Sequence, residues 1–143
     1  MPSSTADDDH RDDHNRIPEE TDPMTDKTPA RLADDAYEAL RALNHATLAP
    51  TRGDEDWEFP GDAYSVVGNL SQAAMVLPQA LEQTEALVKH LEASGNLRSD
   101  RNTLDTDLAA TYDGLAEAKA AAQTLFEALN RAHSGLSPIA YKD

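Results

Sequence analysis

With 143 residues, 39% of them hydrophobic and only 5% aromatic, the chain can bury one core and must build it mainly from Ala and Leu, which lose little side-chain freedom in a helix. A formal net charge of −15 disfavours direct contact with nucleic-acid phosphates or anionic lipid, and the twelve Lys and Arg form no local basic run that would reverse this. With no cysteine there is no disulfide framework and no thiolate chemistry. The expectation is an all-α protein of the cytoplasm whose partners are proteins, including a second copy of itself as a possible homodimer, with no direct nucleic acid and no membrane.

Residues 1–30 hold nine acids against three bases and only isolated apolar side chains such as Ile17 and Met24. Such a segment cannot bury enough surface to offset its ordering entropy, so it reads as a disordered acidic tail. Met24 precedes "TDKTPARLADDAYEAL" and is a candidate start of translation.

The first helix is expected from Thr28, whose side chain suits an N-cap, with Pro29 at the first helical position. Its apolar stripe is Ala33, Ala36, Leu40, Leu43 and Thr47 with Tyr37 beside it, and Pro50 and Gly53 end it. The segment "TRGDEDWEFPGD", Thr51 to Asp62, is then a loop carrying the only tryptophan. Acids flanking Trp57 and Phe59 resemble a docking motif, although a staple packing on the next helix near Tyr64 accounts for them more simply.

The second helix is expected over Asp62–Ser94. Ala63, Val67, Leu70, Ala74, Leu77, Leu81, Thr84, Val88 and Leu91 step alternately by 4 and 3, a heptad seam. Pro78 removes a hydrogen bond to the Ala74 carbonyl at a cost of about 3 kcal/mol, yet the seam keeps phase through it, which favours one kinked helix over two. A second apolar row, Val66, Ala73, Val76, Ala80 and Leu87, runs beside the first. Gly95 is placed to stop the helix.

The third helix follows the short connection "NLRSDRN", capped by Asn102 or Thr103. Its seam is Leu104, Leu108, Thr111, Leu115, Ala118, Ala122, Leu125, Leu129 and Ala132, and Gly135 takes the terminating position. Gly68 and Gly114, inside helices at about 1 kcal/mol each, suggest close helix approach. His45, His90 and His133 fall near helix C-termini, where they suit the macrodipole.

The predicted fold is an antiparallel helical hairpin of two long helices with a shorter N-terminal helix forming a three-helix bundle over residues 31–136, followed by a C-terminal tail, 137–143. A short first helix covers only the half of the hairpin before about Pro78. Leu81, Leu87, Leu91, Leu104 and Leu108 are then partly exposed at the other end, and such a patch marks an interaction site unless the acidic tail or the C-terminal "PIAY" covers it. Together with Trp57 and Phe59 these leucines are the candidate partner-binding residues.

Nothing in the sequence points to catalysis or to a cofactor. His10 and His14 in "DDDHRDDH" stand among carboxylates without a preorganised frame for a metal. No phosphate loop, nucleophile elbow or His-Glu-x-x-His motif occurs, and Glu117 and Glu127 do not form paired Glu-x-x-His motifs.

The strings "ALRALNHATL" and "FPGDAYSVVGNLSQAAMVLPQALEQ", with the Ala-rich helix after them, resemble a group of small, uncharacterised helical actinobacterial proteins, some encoded with plasmid or conjugative-element genes. The resemblance spans roughly Asp34 to Ser134 and implies no residue roles. The hairpin is also similar in size to the secreted proteins with a Trp-x-Gly turn. That turn is missing between the long helices, and neither Tyr112 nor Tyr141 begins a Tyr-x-x-x-Asp/Glu export signal. The functional expectation is a non-enzymatic interaction or adaptor protein. Its competitor is an acidic inhibitor that mimics nucleic-acid charge toward a basic DNA- or RNA-binding protein.

Overall fold

A computed structural model of the chain describes residues 26–48 and 57–143. The expectations for residues 1–25, for His10, His14 and Met24, and for Pro50 and Gly53 as stop signals lie outside the described residues. Three helices and no strand occur among the described residues: α1 (Pro29–Ala46), α2 (Pro60–Ala93) and α3 (Leu104–Leu136). Residues up to Leu48 and residues from Ala49 form two compact units, each considered by itself.

In the first unit, Thr28 is the N-cap of α1 and its hydroxyl accepts from the Arg31 N–H at 3.2 Å. Pro29 follows at the first helical position, where its missing N–H costs nothing. Arg31 bridges to Asp34 and Asp35, and Lys27 to Asp35 at 2.7 Å, so the first turns are tied by exposed ion pairs. The Asp35 carboxyl is held below its ordinary range, chiefly by the hydrogen bond from Lys27. The stripe of Leu32, Tyr37 and Leu40 is exposed, and α1 holds no buried residue.

In the second unit α2 begins at Pro60, two residues before the expected Asp62, because Asp62 caps backwards. Its carboxylate accepts from the Phe59 N–H at 2.8 Å and the Glu58 N–H at 3.0 Å, satisfying donors that a helix N-terminus leaves open. These two backbone bonds, Phe59 first, hold the Asp62 carboxyl below its usual range. The helix runs unbroken through Pro78 to Ala93, and Gly95, with φ of 71°, turns the chain out in the left-handed conformation.

The connection to α3 is fixed by Asp107. Its carboxylate accepts from the Ser99 hydroxyl at 2.5 Å, the Thr103 hydroxyl at 2.9 Å and the Arg101 guanidinium at 2.8 Å. These partners, Ser99 first, lower the Asp107 pKa.

α2 and α3 pack on each other along their length. Tyr64 meets His133, Glu85 meets Lys119 and Glu92 meets Tyr112, so residue numbers rise on one helix as they fall on the other. The most deeply buried side chains are small, Ser71, Ala74 and Ala122, with Leu108 the one large side chain among them. Small residues at a crossing let helix axes approach closely.

The two heptad seams hold in part: Ala63, Val67, Leu70, Ala74, Leu81 and Val88 on α2, and Leu104, Leu108, Leu115, Ala118, Ala122 and Leu129 on α3, are buried or half-buried. Leu77, Thr84 and Leu91 on α2, and Thr111, Leu125 and Ala132 on α3, lie exposed. The half-buried positions are their neighbours Pro78 and Glu85, and Tyr112, Phe126 and His133. An α-helix of 3.6 residues per turn drifts by about 20° per heptad against a strict seven-residue repeat. Over a helix of 33 residues the buried line therefore advances by one position, from Ala132 to His133.

Candidate interaction face

The drift gives the α2–α3 pair two unlike sides. On one side lie the latches. Lys119 reaches Glu85 at 3.1 Å, Tyr112 donates to Glu92, and Lys89 stands 5.6 Å from the centre of the Tyr112 ring. Farther along, the His133 ring stacks on Tyr64 with centroids 4.0 Å apart. His133 is therefore not only the helix-end residue the sequence suggests. Gly68 makes room for it, since a Cβ there would lie 2.8 Å from His133 Nε2. Gly68, Ser71, Gln72, Met75, Phe126 and Asn130 line a shallow groove of about 500 Å³ beside this stack.

Glu85 is held below its ordinary range mainly by the hydrogen bond from Lys119. The Tyr112 phenol is pushed up to about 12, first by its hydrogen bond to Glu92 and then by burial. The fold holds Tyr112 protonated, so its contribution is complete below about pH 10, the ordinary phenol value, and is lost as pH rises through about 12. Denaturant midpoints should therefore fall across this alkaline window, and Tyr112→Phe should flatten that part of the profile. An identical slope in the variant would assign the loss to other groups.

Because the latching side chains occupy one flank of each helix, the opposite flanks also share a side. On α2 that flank carries Val66, Ala73, Val76, Leu77, Ala80, Thr84, Leu87 and Leu91, and on α3 Thr111, Gly114, Ala118, Ala121, Leu125, Ala128 and Ala132. Exposure is high for its large members, 59% at Val76, 56% at Leu87 and 48% at Leu125. Its two hydroxyls are turned inward: Thr84 donates to the Ala80 carbonyl and Thr111 to the Asp107 carbonyl, both at 2.8 Å, so methyl groups face outward. Among the described residues no Asp, Glu, Lys or Arg interrupts this flank between Val66 and Leu91 or between Thr111 and Ala132, with Glu117 standing at its outer edge. In a chain with 27% charged residues, that gap is a property of the face.

The structure separates the candidate residues. Leu87 and Leu91 belong to the open face. Leu81 and Leu104 are half-buried, and Leu108, expected in the exposed patch, is only 8% exposed. A position on the packed line of α3 near the connection is shielded by α2 without any third element.

Trp57 and Phe59 stand at the other end, beside Tyr141. The Tyr141 hydroxyl donates to the Glu58 carbonyl at 3.0 Å and its ring meets Phe59 edge-on at 5.6 Å. The "PIAY" segment therefore packs at the start of α2 and does not cover the leucines near the connection. Trp57 and Phe59 lie with Pro60 and Ala63 at the first turn of α2, while the neighbouring Tyr64 ring is engaged by His133. Gly114 also departs from expectation, since nothing lies within 4 Å of where its Cβ would be.

The face as a whole, with Val76, Leu77, Gly114 and Leu125, was not among the candidate sites. The second apolar row on α2 was its visible trace. Among the described residues no cluster of His, Asp and Glu is placed to hold a metal, and no helix is long and apolar enough to cross a membrane. Comparison with family models, curated proteins and solved structures gives no match to this chain.

Proposed function

We propose that the chain is a non-enzymatic helical interaction protein whose working surface is the uncharged side of an α2–α3 hairpin. The observation that carries this reading is the row of exposed Val and Leu side chains on a side free of charge. Large apolar patches of this kind are retained on soluble surfaces where another molecule covers them.

Within that side, the stretch from Pro78 to the connection, with the exposed Leu87 and Leu91, is the part we assign to a protein partner. Mimicry of nucleic-acid charge is the poorer reading, because on the opposite side Glu85 is held by both Lys89 and Lys119, which interrupts any row of free carboxylates there.

A photoreactive side chain placed at Leu87 of the full chain, and separately at Glu82 on the opposite flank, tests the assignment in the native host. Protein adducts at position 87 and far fewer at 82 are expected. Equal labelling at the two positions, or none at 87, overturns the reading.

A further inference from the structure

We infer that the aromatic pocket at the start of α2 binds the guanidinium of an arginine side chain presented by a protein partner. The pocket shares no residue with the uncharged side, and it stands or falls independently of that surface.

Trp57, Phe59 and Tyr141 hold three of the chain's seven aromatic rings, and with Glu58, Pro60 and Ala63 they line an open cavity of about 300 Å³. Hydrogen bonds anchor the walls. The Tyr141 hydroxyl donates to the Glu58 carbonyl at 3.0 Å across 83 residues of chain, and the Phe59 N–H donates to the Asp62 carboxylate at 2.8 Å. The Phe59 and Tyr141 rings stand at 88° to each other with centroids 5.6 Å apart, which makes a corner, and both remain exposed. Docking of the tail would account for the edge-on contact of these two rings, but not for the third ring or for the room left beside them.

Charge selects the occupant. Aromatic faces carry the negative part of the ring quadrupole and attract a cation. After Arg52 the sequence holds five acids and no base as far as Asp62, and the next base is Lys89. Glu58 lines the cavity, whereas no Lys or Arg of the described residues does. Rings and carboxylates therefore favour the same sign, in a chain whose net charge of −15 draws basic partners toward it. An anionic group is repelled, and an apolar side chain makes no use of the acids. Among cations, the guanidinium is flat, more weakly hydrated than an ammonium and able to stack on a ring face, so it loses little water in a pocket this open. Its N–H groups are then left to pair with the Glu58 carboxylate.

Trp57 is the only tryptophan, so its emission reports on the pocket. The full chain is titrated with a capped Gly-Arg-Gly-Arg-Gly peptide, with its lysine counterpart, and with its citrulline counterpart, which keeps the flat shape without the charge. A saturable change is expected with the arginine peptide, binding about threefold weaker or worse with lysine, and no saturation with citrulline. Phe59→Leu and Tyr141→Leu each remove a ring face and should weaken binding about two- to fivefold, the range of an exposed cation–π contact. Glu58→Gln, on an exposed side chain that leaves the fold intact, should do the same. Glu82→Gln removes an equal charge farther along α2 and should change nothing.

The absence of a saturable change overturns the inference, as does a lysine or citrulline peptide that binds as tightly as the arginine one. Wild-type affinity in the three pocket variants also overturns it. So does an equal loss in Glu58→Gln and Glu82→Gln, which would show attraction to net charge alone. None of these results bears on the labelling expected at position 87.

Discussion

Gly68→Leu is expected to lower the unfolding free energy by about 1–3 kcal/mol, whereas Gly114→Ala raises it by about 1 kcal/mol. Both residues are mid-helix glycines on the α2–α3 pair, and both replacements improve intrinsic helix propensity. The difference is what a side chain meets. At position 68 even a Cβ lies 2.8 Å from His133 Nε2 and 3.1 Å from its Cδ2, inside any van der Waals contact. The imidazole cannot simply swing aside, because it is stacked on Tyr64 at 4.0 Å. A leucine therefore forces His133 off its stack or pushes the helices apart. At position 114 nothing lies within 4 Å, so alanine contributes its lower backbone entropy cost without a clash. Urea unfolding checks the pair. A stabilised Gly68→Leu would show that the helices do not approach each other there.

The contrast between the two glycines also shows how far the sequence could be read. Helix propensity identifies each as a costly residue, but what surrounds it is not local: at Gly68 it is His133, 65 residues away, and at Gly114 it is open space. Local signals fared better. Thr28–Pro29, Asp62 and Gly95 mark helix ends through short-range hydrogen bonding and backbone conformation, and the ends fall within two residues of expectation. The continuity of α2 through Pro78 was also legible, because apolar residues continue in helical spacing on both sides of it.

The buried line was not legible in detail. Heptad and 3.6-residue spacings agree over two turns and part company over eight, and Ala or Thr at the competing positions is tolerated by either. Glu85 and Lys119 reinforced the error. Their charges suggest solvent, yet their mutual bond lets the Glu85 side chain sit at 14% exposure where Thr84 was expected. The open face was hidden for a related reason, since half of it is Ala and Gly on α3, which reads as propensity instead of surface.

Leu108→Ala should cost about 2–3 kcal/mol, and Leu87→Ala no more than about 0.5 kcal/mol in the monomer. In the sequence the two leucines look equivalent, members of one apolar cluster near the connection. Leu108 is 8% exposed and, among the described residues, is the only large side chain in the buried core, the others being Ala74 and Ala122. Truncating it removes buried methyl groups, and the residual cavity adds to the lost transfer energy. The loss is therefore a large fraction of a stability that for a domain of this size is of order 5–15 kcal/mol.

Leu87 stands 56% exposed, and its removal deletes surface already in contact with water. The two variants should separate by denaturant midpoint at an unchanged slope, which would show that the denatured states are alike. Equal losses at both positions in dilute solution would mean that Leu87 is covered from within the chain. The face would then belong to the core instead of to a partner.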